Sequence, residues 1–194
     1  MEESGKYQHI LEAAMDLFSE RGFETTSVQD IAQTAGIAKG TVYLYFKSKE
    51  DLVQQVYRYC YDMDIRACEE GVEEQKNTID KLCRRMDNII DYLLSHPKEA
   101  RIEQMYQTFS SAREHTPYYR EEMYKAIEKV VKEGSEKGEL RDLPVSLLSR
   151  IYYGIAQGLY HGFQQEPDLW KSEDIKQQCH QLIRDSFTPI SKKP

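Results

Sequence analysis

Long apolar runs and closely paired cysteines are both missing from this 194-residue chain. No stretch approaches the ~18 consecutive apolar residues that a membrane-spanning helix needs. The N-terminus reads MEESGKYQHI, without the basic flank and apolar core of a secretory signal, so we expect a cytoplasmic protein. The four cysteines form no C-x-x-C pair and no zinc-ligand spacing. They are therefore predicted to be free thiols that behave as small, half-buried hydrophobes.

Signatures of catalysis and of cofactor binding are also missing. The chain has no Gly-rich phosphate loop, no G-x-S-x-G turn and no H-E-x-x-H pair. Its five histidines are scattered without a catalytic or metal-ligand pattern. We therefore predict that the protein is not an enzyme, and that it holds no cofactor and no metal.

Acidic charge dominates the chain, whose net charge is −7, but it is missing from one window. Residues 31–49 contain no Asp or Glu, and Lys39, Lys47 and Lys49 lie in or at the end of this window. A small basic surface on an acidic protein suits contact with phosphates, because phosphate contacts need only local positive charge. Lysines that merely keep a helix face in water would give the same pattern, so charge alone leaves nucleic-acid binding open.

Apolar residues recur at helical spacing along nearly the whole chain, and the alternating pattern of a β-strand does not appear. We therefore predict an all-α protein of about nine helices. The predicted helices cover residues 7–21, 26–35, 38–46, 49–70, 79–94, 101–112, 117–137, 144–165 and 172–187.

The two short helices after residue 22 predict a helix-turn-helix. Thr26-x-x-Gln29 fits a capping box that opens the first of them, and Gly36 ends it. The second begins near Ala38. Two short helices joined by a brief turn that contains glycine are typical of this motif. Small side chains at Ala32 and Gly36 would let the two helices approach closely.

Several separate sequence elements follow one another between residues 10 and 52. After an aliphatic first helix come Gly22-Phe23, Thr25-Thr26, Asp30-Ile31-Ala32, Ala35-Gly36, Gly40-Thr41-Val42-Tyr43, Tyr45-Phe46 and Lys49-Glu50-Asp51-Leu52. In this combination the chain resembles the TetR family of bacterial regulators; the rest of the chain matches that family only in the number and length of its helices. The resemblance implies a helix-turn-helix DNA-binding domain over residues 1–48 and a helical ligand-binding and dimerisation domain over residues 49–194.

The second helix of such a motif enters the major groove of DNA with its N-terminal residues toward the bases. We therefore predict that Lys39, Gly40 and Thr41 face the bases: the Lys39 ammonium can donate to guanine or to a phosphate, the glycine lets the backbone approach, and the threonine offers a hydroxyl or a methyl group. Contacts with the phosphate backbone are predicted for Tyr43, Lys47, Lys49, Thr25, Thr26 and Ser27.

Aromatic side chains of the second short helix have a simpler interpretation as core residues of the small domain. We adopt that interpretation for Phe46 and leave it open for Tyr43 and Tyr45. The sequence also leaves Val42 and Leu44 undecided between core and surface.

A row of glycines marks the predicted helix over residues 144–165, where each glycine costs roughly 1 kcal/mol against alanine. Such a row suggests close approach by another helix, a second subunit or a ligand. The family resemblance favours a homodimer in which this helix and the last one pair across a two-fold axis. The predicted interface residues are Gly154, Gly158, Leu159, Gly162, Phe163, Cys179, Leu182 and Ile183.

Fourteen tyrosines exceed what a plain aliphatic core would use, and tyrosine suits a cavity for an amphipathic molecule. Each residue taken singly fits a packed core or an exposed face as well. The predicted pocket residues are Met105, Tyr106, Phe109, Tyr124, Tyr152, Tyr153 and His161.

Together these features predict a ligand-responsive, DNA-binding transcription regulator. Its partners would be a palindromic double-stranded operator, a second copy of the chain and a small amphipathic or hydrophobic effector. The resemblance implies repression as the commoner mode, with release when the effector favours a conformation whose two reading helices are wrongly spaced. The alternative is a helical protein-interaction module without specific DNA binding.

Overall fold

The computed structural model describes residues 2–109 and 116–190, and the regular structure within them is entirely helical. Nine α-helices occur in this described part: α1 (Glu2–Arg21), α2 (Val28–Thr34), α3 (Lys39–Tyr45), α4 (Lys49–Glu69), α5 (Thr78–Ser95), α6 (Pro97–Thr108), α7 (Thr116–Glu136), α8 (Val145–Gln165) and α9 (Glu173–Phe187). A 3₁₀ helix, Pro167–Lys171, joins α8 to α9. The predicted all-α architecture is confirmed.

The chain divides into two compact units, and α4 runs from one into the other. The first unit comprises Met1–Met63 and His96–Pro117, and so contains α1, α2, α3 and α6. The second comprises Asp64–Ser95 and Tyr118–Pro194. The predicted boundary between residues 48 and 49 stays a prediction, because compactness does not test independent folding.

The first unit is built around α1, which packs against both α2 and α6. Ile10, Ala14 and Phe18 recur at helical spacing on α1 and are completely buried. The Phe18 ring meets that of Phe23 edge to face at 5.1 Å, just beyond the end of α1. Gly22 ends the helix with φ of 90°, the left-handed conformation that favours glycine, as its predicted role at the helix end requires.

The second unit is built around α5, which packs against α8 and α9. Leu82, Met86 and Ile90, four residues apart on α5, are completely buried. Its polar edge faces α9, where Arg184 contacts Asp80 at 2.7 Å and His180 contacts Asp87 at 2.7 Å. These polar pairs fix the register of α9 along α5.

Several helix boundaries differ from those expected: α1 begins at Glu2 and not at residue 7. Two further differences have a local reason. α6 begins at Pro97 and not at residue 101, because proline is favoured in the first turn, where no partner is needed for the missing N–H. The 3₁₀ helix after α8 was not predicted; Pro167 opens it, and the Trp170 ring packs 4.9 Å from that of Phe163. Residues 110–112, the end of the predicted sixth helix, lie outside the described residues.

Candidate nucleic-acid interface

The helix-turn-helix is held at its start by a reciprocal cap on α2. The Ser27 hydroxyl accepts from the Asp30 N–H at 3.2 Å, while the Asp30 carboxylate accepts from the Ser27 N–H at 2.9 Å. The Ser27 hydroxyl also donates to the Asp30 carboxylate at 2.6 Å, and this hydrogen bond, together with the one from the Ser27 N–H, lowers the pKa of Asp30. The capping box predicted at Thr26 and Gln29 was therefore wrong by one residue.

Thr26 is unable to cap α2 because its side chain points into the first unit. It is buried, and its hydroxyl donates to the Gly22 carbonyl at 2.9 Å and to the Leu17 carbonyl at 3.3 Å. The hydroxyl thus ties the loop to the end of α1 and does not face a phosphate. Thr25 and Ser27, the neighbouring predicted phosphate contacts, are exposed.

The turn between α2 and α3 depends on a glycine in the left-handed conformation. Gly36 has φ of 64°, and the following residue, Ile37, donates its N–H to the Ala32 carbonyl at 2.9 Å. A methyl group at Gly36 would meet nothing within 4 Å in the described residues. The expected reason for Gly36, close helix approach, was wrong: the backbone conformation requires it.

α3 turns one side to the core and the other to solvent. Val42 and Phe46 are both buried, and the Phe46 ring stacks on Tyr7 of α1 with centroids 5.2 Å apart. The core prediction for Phe46 is confirmed. Two residues along an α-helix amount to a rotation of about 200°, so Gly40 and Leu44, each two residues from Val42, lie on the opposite, solvent-facing side.

The predicted base contacts lie on or beside this exposed face. Lys39 and Gly40 are exposed and Thr41 is half-buried, while the Tyr43 side chain is 47% exposed. Because Lys39 precedes Tyr43 by four residues, the two side chains follow the same edge of α3. Their contacts with DNA stay a prediction.

The start of α4 fixes the far end of the interface. Ser48 accepts from the Asp51 N–H at 3.2 Å, and the Asp51 carboxylate accepts from the Lys47 N–H at 2.7 Å. The Lys47 side chain itself is exposed. Lys49 donates from Nζ to the Glu24 carbonyl at 3.1 Å, so its ammonium already holds the loop after α1. Lys47 is the better placed of the two for a phosphate.

Three of the predicted pocket residues belong to the first unit. Tyr106 is buried on α6, and its ring stacks on Tyr57 with centroids 3.8 Å apart. Phe109 ends α6 and meets Phe23 at 5.2 Å, and Met105 is half-buried. In this structure Tyr106 and Phe109 belong to the aromatic core that joins α6 to the end of α1.

The other predicted pocket residues are on helices of the second unit. Tyr152 is buried, and its hydroxyl donates to the Leu82 carbonyl at 3.0 Å. Tyr153 is half-buried and His161 is exposed. The side chain of Tyr124 lies outside the described residues. The structure therefore divides the predicted pocket residues between two units, and their role in effector binding stays a prediction.

The predicted dimer residues separate into an outward and an inward set. The outward residues are Gly154, Gly158, Gly162 and Leu182, which are exposed, together with the half-buried Leu159. The inward residues are Phe163, Cys179 and Ile183, which are buried within the protomer. The inward set packs in the core of the second unit, because these positions lie on the sides of α8 and α9 that face away from solvent.

A buried polar cluster joins the end of α4 to α5 in the second unit. The Asp64 carboxylate accepts from the Cys68 thiol at 3.4 Å, and Asn88 donates to the Cys68 carbonyl at 3.1 Å. Arg85 is only 3% exposed and forms an ion pair with Glu69. Burial raises the pKa of Asp64 to about 6, although the Cys68 hydrogen bond and the charge of Arg85 act in the opposite direction.

The four cysteines are free, as expected, and they are buried more completely than the expected half-buried state. Burial raises the pKa of the Cys60 thiol, and it raises the pKa of Cys83 to about 12, so these thiols stay protonated at neutral pH. Among the described residues no three His, Cys, Asp or Glu side chains are grouped to hold a metal ion. In the same part of the chain, none of the helices has the length and apolar character needed to cross a bilayer.

An all-α chain that presents an exposed short helix beside lysines, on a capped helix-turn-helix, has the architecture of a DNA-binding regulator. A family model described as "Bacterial regulatory proteins, tetR family" matches residues 10–56. A second, "Tetracyclin repressor-like, C-terminal domain", matches residues 75–187, more than half of the chain. The chain belongs to the TetR family of bacterial regulatory proteins. It is a DNA-binding transcriptional regulator.

Similar proteins include named bacterial transcription regulators. The fatty acid metabolism regulator protein of Bacillus subtilis (strain 168) is 28% identical over 152 residues, which cover 77% of this chain and 78% of that protein. The repressor KstR2 of Rhodococcus jostii (strain RHA1) is 46% identical over 55 residues, which cover 28% of this chain and 27% of that protein.

Solved structures share the fold along almost the whole chain. A putative TetR family transcription regulator from Shewanella sp. PV-4 superposes with a TM-score of 0.80 at 24% identity, covering 94% of this chain and 98% of that one. FadR from Bacillus subtilis, solved in complex with stearoyl-CoA, superposes with a TM-score of 0.79 at 24% identity and covers 91% and 97% of the two chains.

Proposed function

We propose that a homodimer of this chain represses transcription by binding a palindromic operator, and that a small amphipathic effector releases it. The exposed side of α3, set in a window of sequence without acidic residues and bordered by Lys39 and Lys47, carries the proposal. A single helix-turn-helix contacts too little DNA for tight selective binding. Two copies of α3 in successive major grooves would supply the missing contacts.

The glycine row of α8 supports the homodimer. A methyl group at Gly154, Gly158 or Gly162 would meet nothing within 4 Å in the described part of the protomer. Packing within those residues therefore does not account for three glycines whose helical cost is roughly 1 kcal/mol each. A second copy, packed closely against the exposed side of α8 and against Leu182 of α9, would account for them.

Relatives support an effector with a long apolar chain. One similar protein is named a fatty acid metabolism regulator, and one similar structure contains stearoyl-CoA. We therefore propose a long-chain acyl thioester as the first effector to test. Such a ligand releases the operator only if it binds the DNA-free conformation more tightly.

A fluorescence-anisotropy titration tests the whole proposal. The wild-type protein is titrated against DNA upstream of its own gene and against random DNA at two salt concentrations, and stearoyl-CoA is then added. Tight, salt-sensitive binding to one DNA and release by the thioester support the proposal. Equal weak binding to the upstream DNA, to random DNA and to sequences selected from a random pool would contradict operator binding and favour a helical protein-interaction module.

Lys47→Ala is expected to weaken binding to operator and random DNA alike. An exposed lysine on the backbone of DNA contributes charge and no sequence information. The slope of log affinity against log salt should fall in magnitude by about 1 for each protomer, which anisotropy titrations at four salt concentrations would measure. Lys132→Ala, which removes an exposed lysine of the second unit, is the control. An unchanged salt slope for Lys47→Ala would refute the phosphate contact.

Gly158→Leu is expected to give a folded monomer. The leucine has open space in the protomer but would hold two copies of α8 apart. Sedimentation velocity at micromolar concentration should show loss of the dimer. Operator affinity should fall on the order of 100-fold or more, because the second half-site no longer binds as part of one molecule. Gln164→Leu adds the same side chain at another exposed position of α8 and should leave both properties intact. A dimeric Gly158→Leu protein would count against this interface.

A further inference from the structure

Leu44 is an exposed aliphatic residue on α3 that does not contribute to the packing of the first unit. Its side chain is 81% exposed, more than any other large hydrophobic residue in the described part of the chain. Val42 and Phe46 fill the core beneath α3 without it. The helix-turn-helix would therefore fold equally well with a polar residue at this position.

The geometry of α3 puts Leu44 at the centre of its exposed face. Gly40 precedes it by one helical turn and has no side chain, so the leucine stands on a flat stretch of helix. Lys39 and Tyr43 lie along one edge of this face, and Lys47 is an exposed residue in the turn two positions after the end of α3. These two lysines make DNA the partner that fits the face, because they put positive charge before and after its apolar centre.

The major groove offers one apolar group to such a side chain. Every base edge there presents hydrogen-bond donors or acceptors, and only thymine adds a C5-methyl group. Leucine makes no hydrogen bonds, so over any other base it would leave polar groups unpaired. The exposed methyl groups of Leu44 match the thymine methyl in polarity and size.

We propose that Leu44 determines sequence specificity by packing on the C5-methyl group of one thymine in each half of the operator. The proposal rests on the proposed function, in which α3 enters the major groove. It assigns to Leu44 an apolar reading role, in addition to the polar contacts predicted for Lys39 and Thr41. The chemical group that it recognises is the methyl group alone, since uracil otherwise pairs as thymine does.

Uracil substitution separates this contact from the rest of the interface. An operator is first selected from random DNA with the wild-type protein, and each thymine is then replaced by uracil in both half-sites together. One symmetric replacement should weaken wild-type binding by about 15-fold, or about fourfold for each buried methyl group. Leu44→Ala should bind the thymine operator more weakly and should no longer distinguish it from the uracil operator.

Lys47→Ala is the matched control, because it should weaken binding and keep the full preference for thymine. Unchanged thermal unfolding of Leu44→Ala would show that this exposed position leaves the fold intact. Equal wild-type affinity for thymine and uracil at every position would overturn the role of Leu44, as would a preference that persists in Leu44→Ala. If no operator could be selected at all, the proposed function would be overturned, and the role of Leu44 with it. If an operator is selected but the protein shows no preference for thymine over uracil, only the role of Leu44 is overturned.

Discussion

Replacing Arg85 by methionine is expected to lower the free energy of unfolding by about 2 kcal/mol at neutral pH. The guanidinium is 3% exposed and forms an ion pair with Glu69, and its charge also acts on the buried Asp64. Methionine has a similar length and fills the space, so the loss comes from charge and not from a cavity. The variant leaves a buried carboxylate without its positive neighbour, which is the costly outcome for a buried charge pair.

The cost of Arg85→Met should increase as the pH rises. Burial raises the pKa of Asp64 from its ordinary value of 3.8 to about 6 in the folded protein. The protonated carboxyl group therefore contributes its full stability below pH 3.8, and this contribution is lost as the pH rises through 6. Removing Arg85 raises this pKa further, because the positive charge lowers it in the wild type. At pH 5 the carboxyl group of the folded variant holds its proton, and the destabilisation should be smaller than at pH 7.5.

Urea denaturation at pH 5 and at pH 7.5 measures both effects. Arg84→Met is the matched control, since the neighbouring arginine is exposed and should contribute less than about 1 kcal/mol. Asp64→Asn added to Arg85→Met should recover much of the loss at pH 7.5 by removing the unpaired charge. If Arg85→Met lowered the free energy of unfolding no more than Arg84→Met at both pH values, the charge of Arg85 would not stabilise the buried cluster.

Local signals in the sequence were sufficient for the helices and for most of their ends. Apolar spacing alone identifies the stripe on α1, and Gly22 adopts the left-handed conformation expected at a helix end. The cap of α2 required tertiary information. Thr26 and Ser27 both carry hydroxyls, and only the position of α1 decides that Thr26 points inward to the Leu17 carbonyl. The S-x-x-D pattern at Ser27 and Asp30 is the signal that would have found the cap.

Helical periodicity identifies apolar residues but does not tell which partner covers them. Ile183 and Leu182 are adjacent aliphatic residues that the sequence assigned to one interface, yet the first is completely buried within the protomer and the second is 53% exposed. Leu44 shows the same uncertainty within the motif. Leu44 is exposed because Val42 occupies the inward side of α3. In so short a helix, neither composition nor spacing could show which of the two residues faces the core.

The position of α6 in the fold could not be predicted from the sequence, and it bears directly on the candidate effector site. Its apolar residues were assigned to a pocket because tyrosine and methionine suit amphipathic ligands. In the structure Tyr106 packs with Tyr57 and Phe23 in the first unit, more than 40 residues away along the chain from either of them. Contacts between distant segments are decided by the tertiary fold, and no local pattern near Tyr106 encodes them.

Tyr106→Ala is therefore expected to destabilise the unit that contains the helix-turn-helix, by about 3–5 kcal/mol. The side chain is 1% exposed, its ring stacks on Tyr57 at 3.8 Å, and its edge-to-face contact with Phe23 spans 6.4 Å. Truncation removes a large buried aromatic area and leaves a cavity that rigid neighbours fill poorly. Tyr43→Ala removes the same side chain from the exposed face of α3 and should change stability by less than about 0.5 kcal/mol.

The two tyrosine variants should have opposite effects on stability and on operator binding. Denaturation curves should shift for Tyr106→Ala only, and hydrogen exchange should quicken in α1 and α6, whose packing the ring supports. Tyr43→Ala should instead weaken operator binding without a change in the denaturation midpoint, because its predicted contact is with the phosphate backbone. Equal denaturation midpoints for Tyr106→Ala and the wild type would show that the aromatic stack is not what holds α6 to the first unit.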